Sequence, residues 1–266
     1  MTETQGVIEA NRSQINEIIS TTAVGYHEEV YLNLSDGRMR FLAGAPGATV
    51  VAYTDFIEGD VERIEGDAEA KIKVPALQDY IDLASEGTSS NLVLEFVGSE
   101  ENRLAEQLQI STASSHRFEV GLTLPASSSA MDNVPTDLPS LFDDDNILIN
   151  QAADRPVKTH VDTYIETLNK IIDVVDLRDE LEFYPIVVED EQFLLNVGSK
   201  QGKYVNASLQ ADVEGADADN LYGSGFKEVI SSLDGQVSLH TEQDSPLLLL
   251  KEMNYGTARH VLGPGN

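Results

Sequence analysis

Residues Gln236–Gly263 read QVSLHTEQDSPLLLLKEMNYGTARHVLG. The stretch divides into two strands, Gln236–Thr241 and Pro246–Lys251, joined as a hairpin across Glu242–Ser245, and a last strand, Thr257–Leu262, followed by Gly263-Pro264-Gly265. Just before it a helix is expected over Tyr222–Leu233, with Phe226, Val229, Ile230 and Leu233 inward and Gly235 of Asp234-Gly235 serving as the C′ residue. Working outward, the order of helices and strands occurs twice. Helices are expected at Arg12–Thr22 and Val74–Ser85 in the first half and at Val161–Val175 and Tyr222–Leu233 in the second, with starts 62 residues apart in one half and 61 in the other. Self-similarity at this scale sets the architecture before any local motif does. Strands far outnumber helices, and each helix carries a single apolar stripe. The pattern therefore predicts an α+β fold of two similar domains, with antiparallel sheets and four helices on one face.

The chain has 266 residues, enough for two domains of ordinary size. Lys and Arg total 17 against 46 Asp and Glu, a net charge of −29. Hydrophobic residues make up 41% and fall in periodic runs, so the acid surplus does not signal disorder. The acid is spread along the whole length. A dispersed acidic surface suits a high-salt cytoplasm, where the Debye length falls to about 3 Å and self-repulsion is screened. An acidic mimic of nucleic acid is the rival reading of the same composition. There is no cysteine, which excludes disulfides and thiolate metal sites. No tract reaches the roughly 20 apolar residues of a membrane span, and Met1–Gly6 has no basic or apolar signal region. A soluble, cytoplasmic protein with no membrane partner is expected.

Along the first half, Asn11 is a plausible N-cap for a helix with Ile15, Ile18 and Ile19 on one face. Ser35-Asp36-Gly37 joins Val30–Leu34 to Met39–Leu42. Pro75 sits in the first turn of the second helix, where its missing N–H costs nothing. Strands at Asn91–Val97, Glu106–Ser111 and His116–Leu124 complete a sheet. Residues 126–145 differ in kind: Ser127–Ser129, Pro135, Pro139 and the run Asp143–Asp145 are interrupted by Met131, Val134, Leu138 and Leu141. This composition marks an interdomain connector between a domain over residues 1–125 and a second over 146–266. In the second half the helix from His160 has Tyr164, Leu168, Ile171, Ile172 and Val175 at helical spacing, and Glu214–Asn220 reads as a loop.

Catalytic chemistry finds no foothold. The five histidines, His27, His116, His160, His240 and His260, lack any zincin spacing and read as strand or turn residues. Asp143–Asp145 lacks a glycine-turned calcium-loop spacing and reads as a solvated linker. Gly223-Ser224-Gly225 is not a nucleophile elbow but the start of a helix, with Ser224 near the cap. No phosphate loop or dinucleotide fingerprint occurs. No catalytic residue, no metal and no cofactor are assigned, and an enzyme with an unrecognised site is the weakest of the readings.

The repeat, the connector and the C-terminal stretch together resemble the proliferating cell nuclear antigen type of DNA sliding clamp. The best local match is Gln236–Gly263 followed by Pro264: strand, acidic turn Asp244-Ser245-Pro246, apolar strand Leu247–Leu250, a loop with Gly256, and a final strand into Leu262-Gly263-Pro264. Phe193–Leu209 resembles the family's subunit-interface hairpin, and Asn133-Val134-Pro135 the apolar-proline step of its connector. The resemblance spans roughly residues 6–264. It implies a homotrimeric ring, with twelve helices around double-stranded DNA that is held topologically and without sequence preference. Such a clamp is a processivity factor. Its partners would be a clamp loader and a DNA polymerase, ligase or nuclease carrying a short clamp-binding peptide. The peptide groove implied by the match involves Gly44, Ala45, Pro46, Gly47, Met131, Val134, Pro246, Val261, Leu262 and Pro264. The implied subunit interface involves Phe118, Val120, Lys203, Tyr204 and Val205. The implied DNA-facing cations are Arg12, Lys73, Lys158, Lys170 and Lys227. The chain departs from the family pattern here, since the expected helices carry many more carboxylates than cations. That departure motivates the alternative of a clamp-derived interaction module, a paralogue or viral copy, that does not encircle DNA.

Overall fold

The computed structural model describes residues 2–23, 29–57, 59–85, 91–99, 103–112, 117–121, 149–150, 155–178, 182–198 and 205–264, except 45–49. Its first half runs β1 (Thr2–Ala10), α1 (Arg12–Thr22), β2 (Glu29–Ser35), β3 (Arg38–Gly44), β4 (Val50–Ile57), β5 (Arg63–Gly66), β6 (Ala68–Lys73), α2 (Val74–Ser85), β7 (Leu92–Ser99), β8 (Gln107–Thr112) and β9 (Arg117–Gly121). Two short strands, β10 (Ile149–Asn150) and β11 (Arg155–Pro156), pair with each other. The second half runs β12 (Thr159–Tyr164), α3 (Ile165–Asp176), β13 (Tyr184–Glu189), β14 (Gln192–Val197), β15 (Val205–Ser208), β16 (Ala211–Glu214), β17 (Ala218–Tyr222), α4 (Ser224–Ser232), β18 (Gln236–Thr241), β19 (Leu247–Glu252) and β20 (Thr257–Leu262).

The order strand, helix, five strands, helix, three strands therefore occurs twice, and the pairing occurs twice with it. In the first half the strands lie side by side as β5-β1-β7-β8-β9 and as β4-β3-β2-β6. In the second they lie as β16-β12-β18-β19-β20 and as β15-β14-β13-β17, the same order position for position. The ladders are antiparallel. The chain divides into two compact units, Met1–Gly47 with Ala52–Val134 and Met253–Ala258, and Ala48–Val51 with Pro135–Glu252 and Arg259–Asn266.

Local rules account for the helices. Asn11 caps α1 as expected: its side chain accepts from Gln14 N–H at 2.9 Å, and its own N–H donates to Gln14 Oε1 at 2.8 Å. Ile15, Ile18 and Ile19 are buried with Ile8, Leu32, Phe41, Phe56, Leu77 and Leu94 in the core of the first unit. In the second, Leu168, Ile171 and Val175 of α3 and Phe226, Val229 and Ile230 of α4 are buried, as are Ile186, Phe193, Leu239 and Leu249 from the sheets. Each such side chain contributes about 1.5–3 kcal/mol on burial. Among the described residues no helix is long and apolar enough to cross a membrane.

Several expectations need correction. Val161–Tyr164 is strand, not helix: α3 starts at Ile165. Thr159, Val161 and Thr163 are buried at every second position, and three β-branched residues at period two favour a strand over a helix. Tyr164, read as part of that helix's apolar spacing, ends β12 and is 47% exposed. Glu214–Asn220 is not one loop: β16 ends at Glu214 and β17 starts at Ala218. Ala218, Asn220 and Tyr222 point inward while Asp219 and Leu221 point out, so the acid hid a normal alternation. Tyr222 and Gly223 precede α4, with Gly223 as its N-cap and Ser224, read as near the cap, as its first residue. Leu233, expected inward, is only half-buried.

A glycine at equivalent places seals each copy. Gly66 ends β5 with φ +94°, and a Cβ there would stand 2.2 Å from the Gln5 carbonyl oxygen. Gly215 follows β16 with φ +106°, and a Cβ there would stand 1.7 Å from the Lys158 carbonyl oxygen. Both sites demand glycine for close backbone approach and for positive φ.

Candidate nucleic-acid and partner interfaces

The four helices carry three cations, Arg12, Lys170 and Lys227, and seven carboxylates, Glu17, Asp79, Asp82, Glu166, Asp173, Asp176 and Glu228, a formal net of −4. Two of the three cations are committed to carboxylates of the neighbouring helix. Arg12 Nη2 donates to Asp82 Oδ1 at 2.5 Å, joining the start of α1 to α2 near its end. Lys227 Nζ donates to Asp176 Oδ2 at 2.6 Å, joining α4 near its start to the last residue of α3. The Asp176 carboxylate is also oriented by Tyr184, whose hydroxyl donates to Oδ1 at 3.1 Å. The Lys227 hydrogen bond holds the Asp176 carboxyl below the usual carboxylate range, and the same bond raises the Lys227 ammonium. Lys170 is exposed and stands in no ion pair among the described residues; Lys73 at the end of β6 and Lys158 just before β12 are also exposed.

Around the predicted peptide groove the structure describes Gly44 at the end of β3, exposed Pro246, half-buried Val261, buried Leu262 and exposed Pro264. Ala45, Pro46, Gly47, Met131 and Val134 lie outside the described residues, as do the connector and Asp143–Asp145. Sequence reasoning missed the residue that ties the second unit's share together, Tyr222. Its backbone bridges Pro264. Its hydroxyl donates to the Ser245 carbonyl at 3.1 Å, next to Pro246, and lies 2.9 Å from Thr241 Oγ1. Burial pushes its phenol up, so it stays protonated at any physiological pH.

The acidic turn between β18 and β19 is built by side chains as much as by backbone. Asn220 Nδ2 donates to the Glu242 carbonyl at 2.8 Å, and Asp244 N–H donates to Asn220 Oδ1 at 2.8 Å. Asp219 and Gln243 exchange two further bonds at 3.0 and 2.9 Å. Arg155 grips Glu242 with both terminal guanidinium nitrogens, Nη1 donating to Oε2 at 2.9 Å and Nη2 to Oε1 at 2.6 Å. The turn thereby covers the edge of β17, as Arg103–Ala105 covers the edge of β6 through bonds with the Glu69 backbone at 2.8 and 2.7 Å. Covered edges of this kind do not recruit stray strands.

Four other strands end the larger sheets with one partner among the described residues: β5, β16, β9 and β15. β9, which holds Phe118 and Val120, ends its sheet with β8 on one side only. β15 ends its sheet with Val205 opposite Val197. Lys203 and Tyr204 lie outside the described residues.

The described histidines are strand residues. His160 and His240 face each other across β12 and β18 with ring centroids 4.3 Å apart, and His260 lies buried in β20. His160 Nε2 lies 3.2 Å from Asp162 Oδ1, which also accepts from Ser238. His27 and His116 fall outside the described residues. Among the described residues no three His, Asp or Glu side chains gather as metal ligands.

No protein-family model matches the chain, and no curated protein matches it. Solved structures do. Proliferating cell nuclear antigen from Thermococcus kodakaraensis superposes with a TM-score of 0.68 at 16% identity, over 98% of this chain and 100% of that one. The antigen from Entamoeba histolytica gives 0.68 at 12% identity, over 99% and 100%. The fold is that of the DNA sliding clamps. A Eubacterium rectale protein assigned as a DNA polymerase III beta subunit matches with a TM-score of 0.69 at 12% identity, over 100% of this chain but 67% of that one. Proliferating cell nuclear antigen from A. fulgidus, solved with the C-terminal region of FEN-1 bound to it, gives a TM-score of 0.65 at 12% identity, over 98% of both chains. The clamp fold here therefore has the size of the antigen chains.

Proposed function

We propose that the chain is a sliding clamp, a non-enzymatic processivity factor that closes as a homotrimer around duplex DNA and docks replication and repair proteins through short peptides. The observation that carries the reading is the twofold repeat of one strand-and-helix order, in a chain that matches proliferating cell nuclear antigen subunits from end to end. The edges of β9 and β15 are assigned to the closing contact, where a strand edge on one copy satisfies the unpaired backbone groups of the next. Peptide docking is assigned to the surface around Pro246, Val261, Leu262 and Pro264, by analogy with the FEN-1 segment on the A. fulgidus protein. Arg12, Lys73, Lys158, Lys170 and Lys227 are assigned to the DNA-facing side. With so few cations, counterion release is small, and retention on DNA comes from topology. The dispersed acid, net −29, points to a salt-rich cytoplasm.

The test has two stages. Light scattering at high salt is expected to give three times 29.0 kDa; a mass of 29.0 kDa sinks the ring. Loading on nicked circular DNA, followed by linearisation, is expected to release the protein. Equal retention on circular and linear DNA would instead favour an interaction module derived from a clamp.

A further inference from the structure

The two cross-helix ion pairs are the same device made twice from different residues. In the first unit the cation opens α1 and the carboxylate sits near the end of α2; in the second the carboxylate closes α3 and the cation sits near the start of α4. All four side chains are between 39% and 58% exposed, so a large polyanion reaches them. Pairs this exposed add little to stability, which leaves their recurrence unexplained by folding alone. A carboxylate offers a cation the same acceptor chemistry as a phosphate oxygen. The Asp176 carboxylate is moreover seated independently of Lys227, by the hydroxyl of Tyr184, which is buried and stacks on Phe226 with centroids 5.6 Å apart.

We propose that Asp82 and Asp176 act as internal phosphate stand-ins that occupy Arg12 and Lys227, so that the helix face meets the duplex backbone loosely and lets it slide. This rests on the reading of the chain as a clamp around DNA. Lys170, outside any described ion pair, is then the helix cation available to phosphate in the resting state. Freeing Arg12 and Lys227 adds two phosphate contacts.

The test compares Asp82→Asn with Asp176→Asn, as a double variant, against Asp79→Asn with Asp173→Asn. The second pair removes the same charge from exposed positions of α2 and α3 that hold no described cation. Binding to a short linear duplex is followed over a potassium chloride series in which every variant keeps the wild-type melting profile. The first double variant is expected to steepen the slope of log K against log salt by about 2, near 0.9 for each added phosphate contact. The control pair is expected to leave the slope unchanged, and adding Arg12→Gln and Lys227→Gln to the first pair is expected to restore the wild-type slope. Equal shifts in both double variants, no shift in either, or a shift that survives loss of the two cations overturns the proposal. Retention on circular DNA reports separately on the clamp reading: a wild-type chain that leaves circles as fast as linear DNA defeats that reading, while the slopes on linear duplex still decide whether the carboxylates restrain the cations.

Discussion

At Gly215 and Glu191 the backbone is left-handed, yet the two residues predict opposite outcomes. Gly215→Ala sets a Cβ against the Lys158 carbonyl where φ is +106°, and it is expected to cost about 3 kcal/mol in a urea melt. Asp190 and Glu191, at φ +50° and +58°, turn β13 into β14 where the first copy uses Asp36 and Gly37. Glu191→Gly removes the left-handed penalty and is expected to raise stability by about 1 kcal/mol in the same assay. The Asp176–Lys227 pair predicts a titration. The Asp176 carboxyl is depressed, so the pair's contribution is present at neutral pH and is lost as pH falls through that depressed value. At the alkaline end it is lost as pH rises through the raised Lys227 value. Lys227→Met is expected to move the Asp176 midpoint upward, read by carboxyl-carbon NMR; an unmoved midpoint would show that Lys227 is not the cause.

Among the elements, α4 shows how tertiary contact makes a helix. It has only nine residues and no side-chain cap, too short to be stable alone. Its anchor is Phe226, buried and stacked on Tyr184. Phe226→Ala is expected to cost about 3–5 kcal/mol and to speed amide exchange through α4 first. The sequence pattern gave away α1 through its asparagine cap and isoleucine stripe, and the β18–β19 hairpin through its acidic turn. It misplaced the start of α3 because Tyr164 falls in phase with Leu168 and Val175, while the Thr159-Val161-Thr163 alternation that decides the matter is only six residues long. It missed β16 and β17 because carboxylates fill their outward positions. A signal was present: Glu65-Gly66 and Glu214-Gly215 stand at the same place in both copies. The helix cations were legible as residues, but not their partners, since Arg12 and Asp82 are 70 apart in the chain and meet only once α1 and α2 pack. Tyr222 was hidden for the same reason.

For the molecule as a whole, the acid surplus makes stability a function of salt. A net charge of −29 repels itself at low ionic strength, and screening relieves it as the Debye length shortens from about 10 Å at 0.1 M to about 3 Å at 1 M. The melting temperature is expected to climb with potassium chloride over that range and then flatten; a melting temperature indifferent to salt would remove the physical case for a high-salt habitat. The strand order carries a different consequence, one of timing. Gly6 in β1 faces Gly66 of β5 on one side and Phe96 of β7 on the other. β1 is made before both of its neighbours and therefore waits for them, the farther one for about 5–20 s at ordinary rates of synthesis. Through that interval Ile8 has no core to enter. The acid scattered through the early chain gives that waiting segment like charge that repels other copies of itself.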